Sequence, residues 1–297
     1  MRLYDVYSPR DWLWLVSYSG GKDSTALLLL VLRFACEKGF RVGVVYNDCG
    51  GDLPEVRALV YRVLDALRAH SVLRNCVSEV YVTKPEKSFF DYLLTKYSPP
   101  RWSFRWCCKR LKEYPFKRLA KELSKSYRVL NLVGSRSEEA RWRSWSVKVV
   151  SERLVYAAPL HKLKREDVWR LLRGLSSELG LEWVYSKLLE VYRGGAVSRS
   201  GCWFCTVAGP SSLLLLDRDL LKLKLEVLEA WCSGLRERIA ELSKEYPELV
   251  KVSVSTITHS YPCGRKCEKC QVKLVRDSIK KLLNLLNTRG GEGNESL

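Results

Sequence analysis

Apolar residues along the first half of the chain alternate between short continuous runs and longer segments in which they recur every three or four positions. The short runs predict buried strands, and the periodic segments predict amphipathic helices. The predicted strands are Trp12–Tyr18, Arg41–Tyr46, Val77–Val82, Tyr127–Val133 and Lys148–Tyr156, and the predicted helices are Ser24–Lys38, 54–70, Lys87–Leu94 and Tyr114–Ser126. Strands that alternate with helices are typical of an α/β fold, in which a parallel twisted sheet carries helices on both faces.

From Pro159 onward the pattern is mainly helical, so we expect a helical C-terminal region after the sheet. The predicted helices there are Arg165–Leu179, Glu182–Tyr192, Leu213–Lys244 and Val272–Leu286, with a short β-like run at Val252–Thr258. We predict an α/β domain over residues 1–160, its helical continuation over 161–245, a cysteine-rich segment with a final helix over 246–289, and a disordered tail over 290–297.

The composition is that of a globular protein. Of the 297 residues, 46% are hydrophobic and 28% are charged, which excludes the disordered and fibrous classes. The longest apolar run, Ala26–Leu32, is far shorter than the roughly 18 residues of a membrane span. Charged residues at Asp5, Arg10 and Asp11 argue against a signal peptide. We therefore expect a cytoplasmic protein without membrane contact.

The chain has 11 cysteines, which in a reducing compartment are metal ligands, reactive thiols or core residues. Four of them, Cys107, Cys108, Cys202 and Cys205, form an adjacent pair and a CxxC. Four thiolates can hold a [4Fe–4S] cluster or Zn²⁺, and their spacing does not choose between the two. Apolar contexts predict that three others are buried core residues; they are Cys36, Cys76 and Cys232.

A second ligand set lies near the C-terminus, where His259, Cys263, Cys267 and Cys270 fall within twelve residues. Soft ligands at this spacing predict a small Zn²⁺ site or a second cluster. A reactive thiol at Cys263 and a structural role for the set are the alternatives.

Basic residues give the chain a formal net charge of +18, and residues 101–173 hold 20 Lys and Arg against 7 Asp and Glu. This excess favours contact with a nucleic acid, while a small anionic nucleotide and a solvated basic face are the alternatives. Aromatic and cationic residues are interleaved there, which suits either base stacking or a buried wall; they are Trp102, Arg105, Trp106, Trp142, Arg143 and Trp145. The single Met and single Gln favour a thermophilic protein.

The segment Ser19–Thr25, with the sequence Ser-Gly-Gly-Lys-Asp-Ser-Thr, lies between the first predicted strand and the first predicted helix. Glycines let the backbone approach an anion, and the N–H groups at a helix N-terminus bind it. Lys22 adds a cation, and Ser24 and Thr25 add hydroxyl donors. The pattern therefore predicts a phosphate-binding loop, although a Gly-Gly turn with an N-capping serine gives a similar sequence.

Three polar residues follow predicted strands at the edge where open α/β sheets bind ligands. Arg136 and Arg141 suit bidentate contact with phosphate. Asp48 suits a nucleotide or Mg²⁺ contact, or a cap on the loop that follows it.

Several motifs together carry a family resemblance. The heptad Ser19–Thr25 resembles the PP-loop of the adenine nucleotide α-hydrolase superfamily. Further motifs, in the same order, resemble the phosphoadenosine phosphosulfate (PAPS) reductase family; they lie at 47–56, 107–115, 134–141, 159–169 and 192–202. The resemblance covers roughly residues 12–210, and it departs from the family pattern at Cys49 and Val56, where the family has Thr, and at Ala140, where it has Ser.

The resemblance implies a HUP-type fold and an adenine nucleotide substrate, with ATP and Mg²⁺ bound when cleavage falls between the α and β phosphates. It implies nucleotide contacts from Ser19, Gly20, Gly21, Lys22, Asp23, Ser24, Thr25, Asp48, Arg136 and Arg141, with catalytic roles for Lys22 and Asp23. It also implies a [4Fe–4S] cluster on Cys107, Cys108, Cys202 and Cys205, as in adenosine phosphosulfate (APS) reductases and DNA phosphorothioation ATPases.

Three functions remain open on the sequence. The intact loop favours ATP use, with adenylation of a tRNA or DNA acceptor and transfer of sulfur to it. The alternative is an APS or PAPS reductase with Cys263 as nucleophile, although Pro262 and Lys266 replace the Glu and His of that family's C-terminal element. A non-catalytic nucleotide- or RNA-binding protein is the third.

Overall fold

The computed structural model describes residues 2–97, 99–100, 104–139, 145–195, 197, 201–205, 213, 215–245, 276–277, 279–284 and 287. The chain forms two compact units, each assembled from separate stretches. The α/β unit comprises Met1–Asp48, Pro54–Lys84 and Pro115–Gly194, and the cysteine unit comprises Cys49–Leu53, Pro85–Tyr114 and Gly195–Leu297. The linear boundaries at residues 160, 245 and 289 stay a prediction.

The α/β unit is built on one six-stranded sheet. Its strands are β1 (Trp12–Tyr18), β2 (Val42–Asn47), β3 (Val77–Thr83), β4 (Arg128–Val133), β5 (Val147–Ser151) and β6 (Leu154–Ala157). Their order is β3-β2-β1-β4-β6-β5, and every pairing is parallel except that of β5 with β6. The predicted α/β fold is confirmed. The single strand predicted over Lys148–Tyr156 is wrong, because the chain turns at Glu152 and Arg153 and pairs β5 back on β6.

The helices of the α/β unit are α1 (Arg2–Val6), α2 (Lys22–Lys38), α3 (Pro54–Ala69), α5 (Tyr114–Ser126), α6 (Arg165–Glu178) and α7 (Glu182–Val191). Successive side chains of a strand point to opposite faces of the sheet. Trp14 and Val16 of β1 pack into the core that contains α2, α3, α6 and α7, whereas Leu15 packs with Phe116 and Leu119 of α5. Helices therefore cover both faces of the sheet, as the sequence predicted.

The cysteine unit is mainly helical. It contains α4 (Phe89–Thr95), a π-helical turn (Cys108–Glu113), α8 (Arg218–Cys232) and α9 (Arg236–Glu245). The single helix predicted over Leu213–Lys244 is wrong, because the left-handed Gly234 (φ +72°) ends α8 and a new helix begins at Arg236. Among the described residues, no helix is both long and apolar enough to cross a membrane.

One disulfide joins two cysteines that the sequence assigned to the core. Cys36 near the end of α2 and Cys76, which closes the short 3₁₀ helix Leu73–Cys76, are bonded, with their Cα atoms 5.3 Å apart. The predicted core position is confirmed for Cys76, which is 6% exposed, and Cys36 packs against the same core, but the bond between them was not predicted. Cys232 is not part of this disulfide.

Candidate functional site

The predicted phosphate loop connects β1 to α2 in a tight, left-handed turn. Gly20 has φ +72°, and a Cβ there would lie 2.5 Å from Cγ2 of Val60 and 2.9 Å from Cγ1 of Val56, both on α3. A side chain at this position would be strained by the backbone and would also collide with α3. Glycine is therefore required for the loop to pass between β1 and α3.

Hydroxyl groups close the loop on itself. The Ser24 hydroxyl accepts from the Ser19 N–H (3.2 Å) and donates to the Gly21 carbonyl (3.0 Å), and the Thr25 hydroxyl donates to the same carbonyl (2.9 Å). Gly21 is the N-cap of α2, and no side chain caps the helix there. The alternative prediction, a Gly-Gly turn with an N-capping serine, is therefore wrong. The N–H of Lys22 instead donates to the hydroxyl of Tyr192 (3.2 Å).

Asp23 joins two buried cations at the start of α2. Lys22 Nζ lies 2.8 Å from Asp23 Oδ2, and Arg136 Nε lies 2.5 Å from Asp23 Oδ1. Arg136 Nη1 also contacts the Glu138 carboxylate at 2.5 Å. Lys22 and Arg136 are only 1% and 3% exposed. The structure thus brings Lys22, Asp23 and Arg136 together at a helix N-terminus, where positive charge and N–H groups favour an anion.

The segment after β4 comes close to this loop, and this approach depends on a second glycine, Gly134. A Cβ at Gly134 would lie 2.8 Å from the Ser24 backbone nitrogen and 2.9 Å from the Asp23 carbonyl group. Neither contact is with a flexible side chain, so the backbone itself would have to move. Gly134 therefore allows Arg136, two residues later, to reach Asp23.

Asp48, directly after β2, is buried and held by α3. Its Oδ2 accepts hydrogen bonds from Arg57 Nη2 (2.7 Å) and from the Tyr61 hydroxyl (3.0 Å). Burial raises the pKa of Tyr61, and its bond to the Asp48 carboxylate raises it further. Sequence reasoning missed Arg57 and Tyr61, although their spacing of four residues on a predicted helix is the signal that places them on one face.

In the cysteine unit, the CxxC forms a turn anchored to the segment around Gly51. The Cys205 N–H donates to the Cys202 carbonyl (2.9 Å), and the Trp203 N–H donates to the Gly51 carbonyl (2.9 Å). Trp203 and Phe204 are buried, and the Phe204 ring stacks on Phe89 with centroids 4.1 Å apart. The aromatic pair inside the CxxC therefore lies in an apolar wall beside the two thiols.

The four predicted ligands share one electrostatic environment. The pKa of Cys108 is lowered to about 5, first by hydrogen bonding to Cys107 and then by Arg105, whose Nη2 is 3.5 Å from the Cys108 sulfur. The pKa of Cys107 is raised by its bond to Cys108, by burial and by the charges of Cys202 and Cys205. The structure thus gathers these thiols in one region, as a metal–thiolate centre requires.

Three further polar residues in this region were missed from the sequence. Cys49, only 2% exposed, places its sulfur with the Cys202 sulfur and an Asp52 oxygen, all within 4.8 Å of one another. The pKa of Cys202 is lowered to about 7, first by hydrogen bonding to Cys49 and then by the charge of Lys112. The signal in the sequence that could have identified this group was Cys49, because the family that the chain resembles has Thr at this position.

Lys224 of α8 is a buried cation beside the CxxC. Its ammonium group donates to the Cys205 carbonyl at 2.5 Å, and burial lowers its pKa to about 8. No carboxylate of the described residues forms an ion pair with it. Burying an uncompensated charge is unfavourable, so Lys224 is suited to a site that binds a negatively charged group. An iron–sulfur or zinc centre ligated by thiolates is such a group.

Several predicted residues lie outside the described part of the chain; they are Arg141, His259, Cys263, Cys267, Cys270, Trp102, Trp142 and Arg143. The described Trp106 is 2% exposed and stacks on Tyr97 and Phe89. The burial of Trp106 therefore supports the interpretation of the interleaved aromatic residues as a buried wall and not as a surface for base stacking.

Comparison with known proteins gave three findings. The model of the phosphoadenosine phosphosulfate reductase domain matches residues 14–208. A protein of Methanocaldococcus jannaschii described as uncharacterized is 26% identical over 228 residues, which cover 75% of this chain and 41% of that protein. This chain thus spans about two-fifths of that relative's length. A PAPS reductase from Candida auris, solved as a phosphate complex, is 18% identical with a TM-score of 0.44, over 69% of this chain and 86% of that one.

Proposed function

Because the chain belongs to the phosphoadenosine phosphosulfate reductase domain family, whose members use adenine nucleotides in sulfur chemistry, we propose that it cleaves ATP between the α and β phosphates and uses the adenylate to place sulfur on a nucleic acid. The observation that carries this proposal is the group of Lys22, Asp23 and Arg136 at the N-terminus of α2. The proposed product of the first step is an adenylated acceptor.

The charged group suits departure of pyrophosphate. In the proposed step, an acceptor oxygen attacks the α phosphorus, and the bond to the bridging oxygen of pyrophosphate breaks. Lys22, Arg136 and the positive end of the α2 dipole stabilise the negative charge that develops on the leaving group. The carboxylate of Asp48 is the oxygen ligand that would hold Mg²⁺.

The second proposed step replaces the adenylate by sulfur. A sulfur nucleophile at the sulfide oxidation level attacks the activated carbon, and AMP leaves with the former acceptor oxygen, so that no external electrons are needed. A [4Fe–4S] cluster held by Cys107, Cys108, Cys202 and Cys205 would deliver or position that sulfur. The contribution of this chain is the thiols, the apolar wall of Trp203 and Phe204, which excludes water, and the compensating charge of Lys224.

A nucleic acid acceptor is supported by the exposed basic residues of the α/β unit. Lys117, Lys121 and Lys125 are exposed and follow one another at intervals of four along α5, so they line one side of that helix. Such a row attracts a polyanion by releasing its condensed counterions.

A direct assay separates the three functions. We expect AMP and pyrophosphate to form from ATP in the presence of the correct RNA or DNA, and Lys22→Ala to abolish this. Lys38→Ala, an exposed lysine at the opposite end of α2, serves as the matched control and should leave the rate unchanged. ATP that stays intact with every acceptor would contradict the proposal.

An APS or PAPS reductase is the second candidate, and the family match favours it. In that reaction a cysteine thiolate attacks the sulfur of the substrate, the nucleotide leaves, and a second thiol reduces the S-sulfocysteine to release sulfite. Release of sulfite that requires Cys263 and does not require ATP would establish this function instead. Nucleotide or RNA binding that survives Lys22→Ala without turnover would identify a non-catalytic binding protein.

A further inference from the structure

Cys49, Asp52 and Cys202 form a compact group of three potential ligands within the cysteine unit. The Cys49 sulfur is 3.9 Å from Asp52 Oδ1, and one ligand atom of each residue lies within 4.8 Å of the other two. In a tetrahedral zinc site, bonds of about 2.0–2.3 Å place the ligand atoms roughly 3.3–3.8 Å from one another. The spacing of these three atoms is therefore close to what a single ion requires.

The backbone holds the three residues in place without a metal. Asp52 and Cys202 pair as an antiparallel β-bridge, and the hydrogen bond from Trp203 to Gly51 lies beside it. A Cβ at Gly51 would lie 2.3 Å from the Phe204 ring, so the two segments approach this closely only because residue 51 is glycine. The ligands are thus preorganised on two segments that are about 150 residues apart in sequence, as the bond between Trp203 and Gly50 also shows.

The donor set suits a borderline-soft divalent ion. Two thiolates and a carboxylate are ligands that Zn²⁺ accepts, and three protein ligands leave a fourth position open. These ligands carry three negative charges against two positive charges on the ion. The positive charge of Lys112, which interacts electrostatically with Cys202, balances the remaining charge.

We propose that Cys49, Asp52 and Cys202 bind one divalent metal ion of the Zn²⁺ class. Binding replaces the thiol protons, which pass to solvent, and involves no redox step. Cys202 is also a ligand of the proposed four-cysteine cluster, so the two centres exclude each other at that sulfur. The proposal does not depend on ATP use or on sulfur transfer, because it rests on the geometry of the three ligands alone.

Cobalt is a spectroscopic probe for such a site. The full-length chain, freed of metal and carrying Cys263→Ser, Cys267→Ser and Cys270→Ser to remove the C-terminal ligands, is titrated with Co²⁺. We expect one equivalent to bind with a thiolate-to-cobalt charge-transfer band and tetrahedral d–d bands, both lost when Zn²⁺ is added. In the same background, Cys49→Thr should lower cobalt affinity at least about tenfold and weaken the charge-transfer band.

Matched variants make the test decisive. Asp52→Asn should lower the affinity while it keeps both thiolate–cobalt bonds, and Cys232→Ser, which changes a cysteine of α8 outside this group of ligands, should change nothing. Circular dichroism and a thermal melt identify any variant that fails to fold. If Cys49→Thr does not fold, the cobalt affinity of Asp52→Asn tests the proposal in its place. Unchanged affinity and spectra in both Cys49→Thr and Asp52→Asn would overturn the proposal. So would loss of the cobalt spectrum in Cys107→Ser, because the ion would then occupy the four-cysteine set.

Discussion

The guanidinium of Arg136 donates a hydrogen bond to the carboxylate of Asp23 across 113 residues of sequence, and the N–O distance is 2.5 Å. This contact joins the segment after β4 to the first turn of α2. Asp23 also pairs with Lys22, so that one carboxylate contacts two cations that are almost fully buried. These three side chains therefore carry one net positive charge before any nucleotide is bound.

Asp23→Asn should destabilise the protein, because it leaves Lys22 and Arg136 without their shared counter-charge. Removing one partner of a buried ion pair typically lowers the free energy of unfolding by about 3–5 kcal/mol. Urea denaturation measures the change, and the AMP assay should show no turnover. Asp65→Asn, which removes an exposed partner of Arg68, should change the free energy of unfolding by less than about 1 kcal/mol. Equal stability of the two variants would contradict this account of Asp23.

Gly134→Ala should disrupt the loop through the backbone. The added Cβ would meet the Ser24 nitrogen at 2.8 Å, so β4 or the start of α2 must shift, and nucleotide affinity should fall about tenfold or more. Gly174→Ala in α6 is the control, because its Cβ would meet nothing within 4 Å, and it should stabilise the protein by about 0.5–1 kcal/mol. Calorimetric titration with a non-hydrolysable ATP analogue measures the first effect and thermal melting the second. Unaltered affinity in Gly134→Ala would show that the loop does not need this close approach.

The Cys36–Cys76 disulfide should stabilise the α/β unit. It links residues 40 positions apart, for which the chain-entropy model gives about 4 kcal/mol, and measured values are commonly about 2–4 kcal/mol. The double variant Cys36→Ser/Cys76→Ser should lose this amount in urea denaturation under oxidising conditions, and its stability should no longer respond to reductant. Cys232→Ser should keep the response to reductant. A double variant as stable as the unmodified chain would show that the bond contributes nothing.

The sheet and the conformation of the loop between β1 and α2 could be predicted because both are encoded locally. The strands from β1 to β4 are mainly apolar, and the loop is a contiguous heptad between a strand and a helix. The hairpin of β5 and β6 was missed because Glu152 and Arg153 turn the chain inside an apolar run that reads as one strand. Charged residues in the middle of an apolar run are compatible with one exposed strand as well as with a turn. Only the observed strand pairing distinguishes a single strand from a hairpin.

The candidate metal region could be predicted only in part. Cys107, Cys108, Cys202 and Cys205 stand out by spacing, but Lys112 and Lys224 are ordinary residues of helical segments in the sequence. Their positions beside Cys202 and Cys205 follow from tertiary packing between distant stretches of chain. Asp52 likewise gains its role only through the β-bridge to Cys202. The periodicity of a single sequence does not predict contacts between distant stretches of chain.

Loading of the four-cysteine site should depend on the CxxC. After anaerobic purification with iron and sulfide, the protein should be brown and should contain about four iron atoms per chain. Cys205→Ser should lower the iron content and the visible absorption severalfold, whereas Cys49→Thr should retain both, because Cys49 is not one of the four proposed ligands. A colourless protein that binds zinc on all four thiols would contradict the cluster and leave a zinc centre in its place.

Lys224→Met should have opposite effects on the empty and the loaded protein. Among the residues that the structure describes, the buried ammonium of the metal-free chain hydrogen-bonds only to the Cys205 carbonyl, so an apolar side chain of similar length should raise the free energy of unfolding by about 1–3 kcal/mol. In the loaded chain the same change removes a cation beside a negative cluster, so the cluster should lose iron to a chelator faster and its reduction potential should become more negative. Urea denaturation of the metal-free form, chelation kinetics and a redox titration measure these effects. Lys222→Met, an exposed lysine on the same helix, is the control that should leave all three unchanged. If Lys224→Met destabilised the metal-free chain and left the potential unaltered, the lysine would be a structural residue and not a counter-charge for the centre.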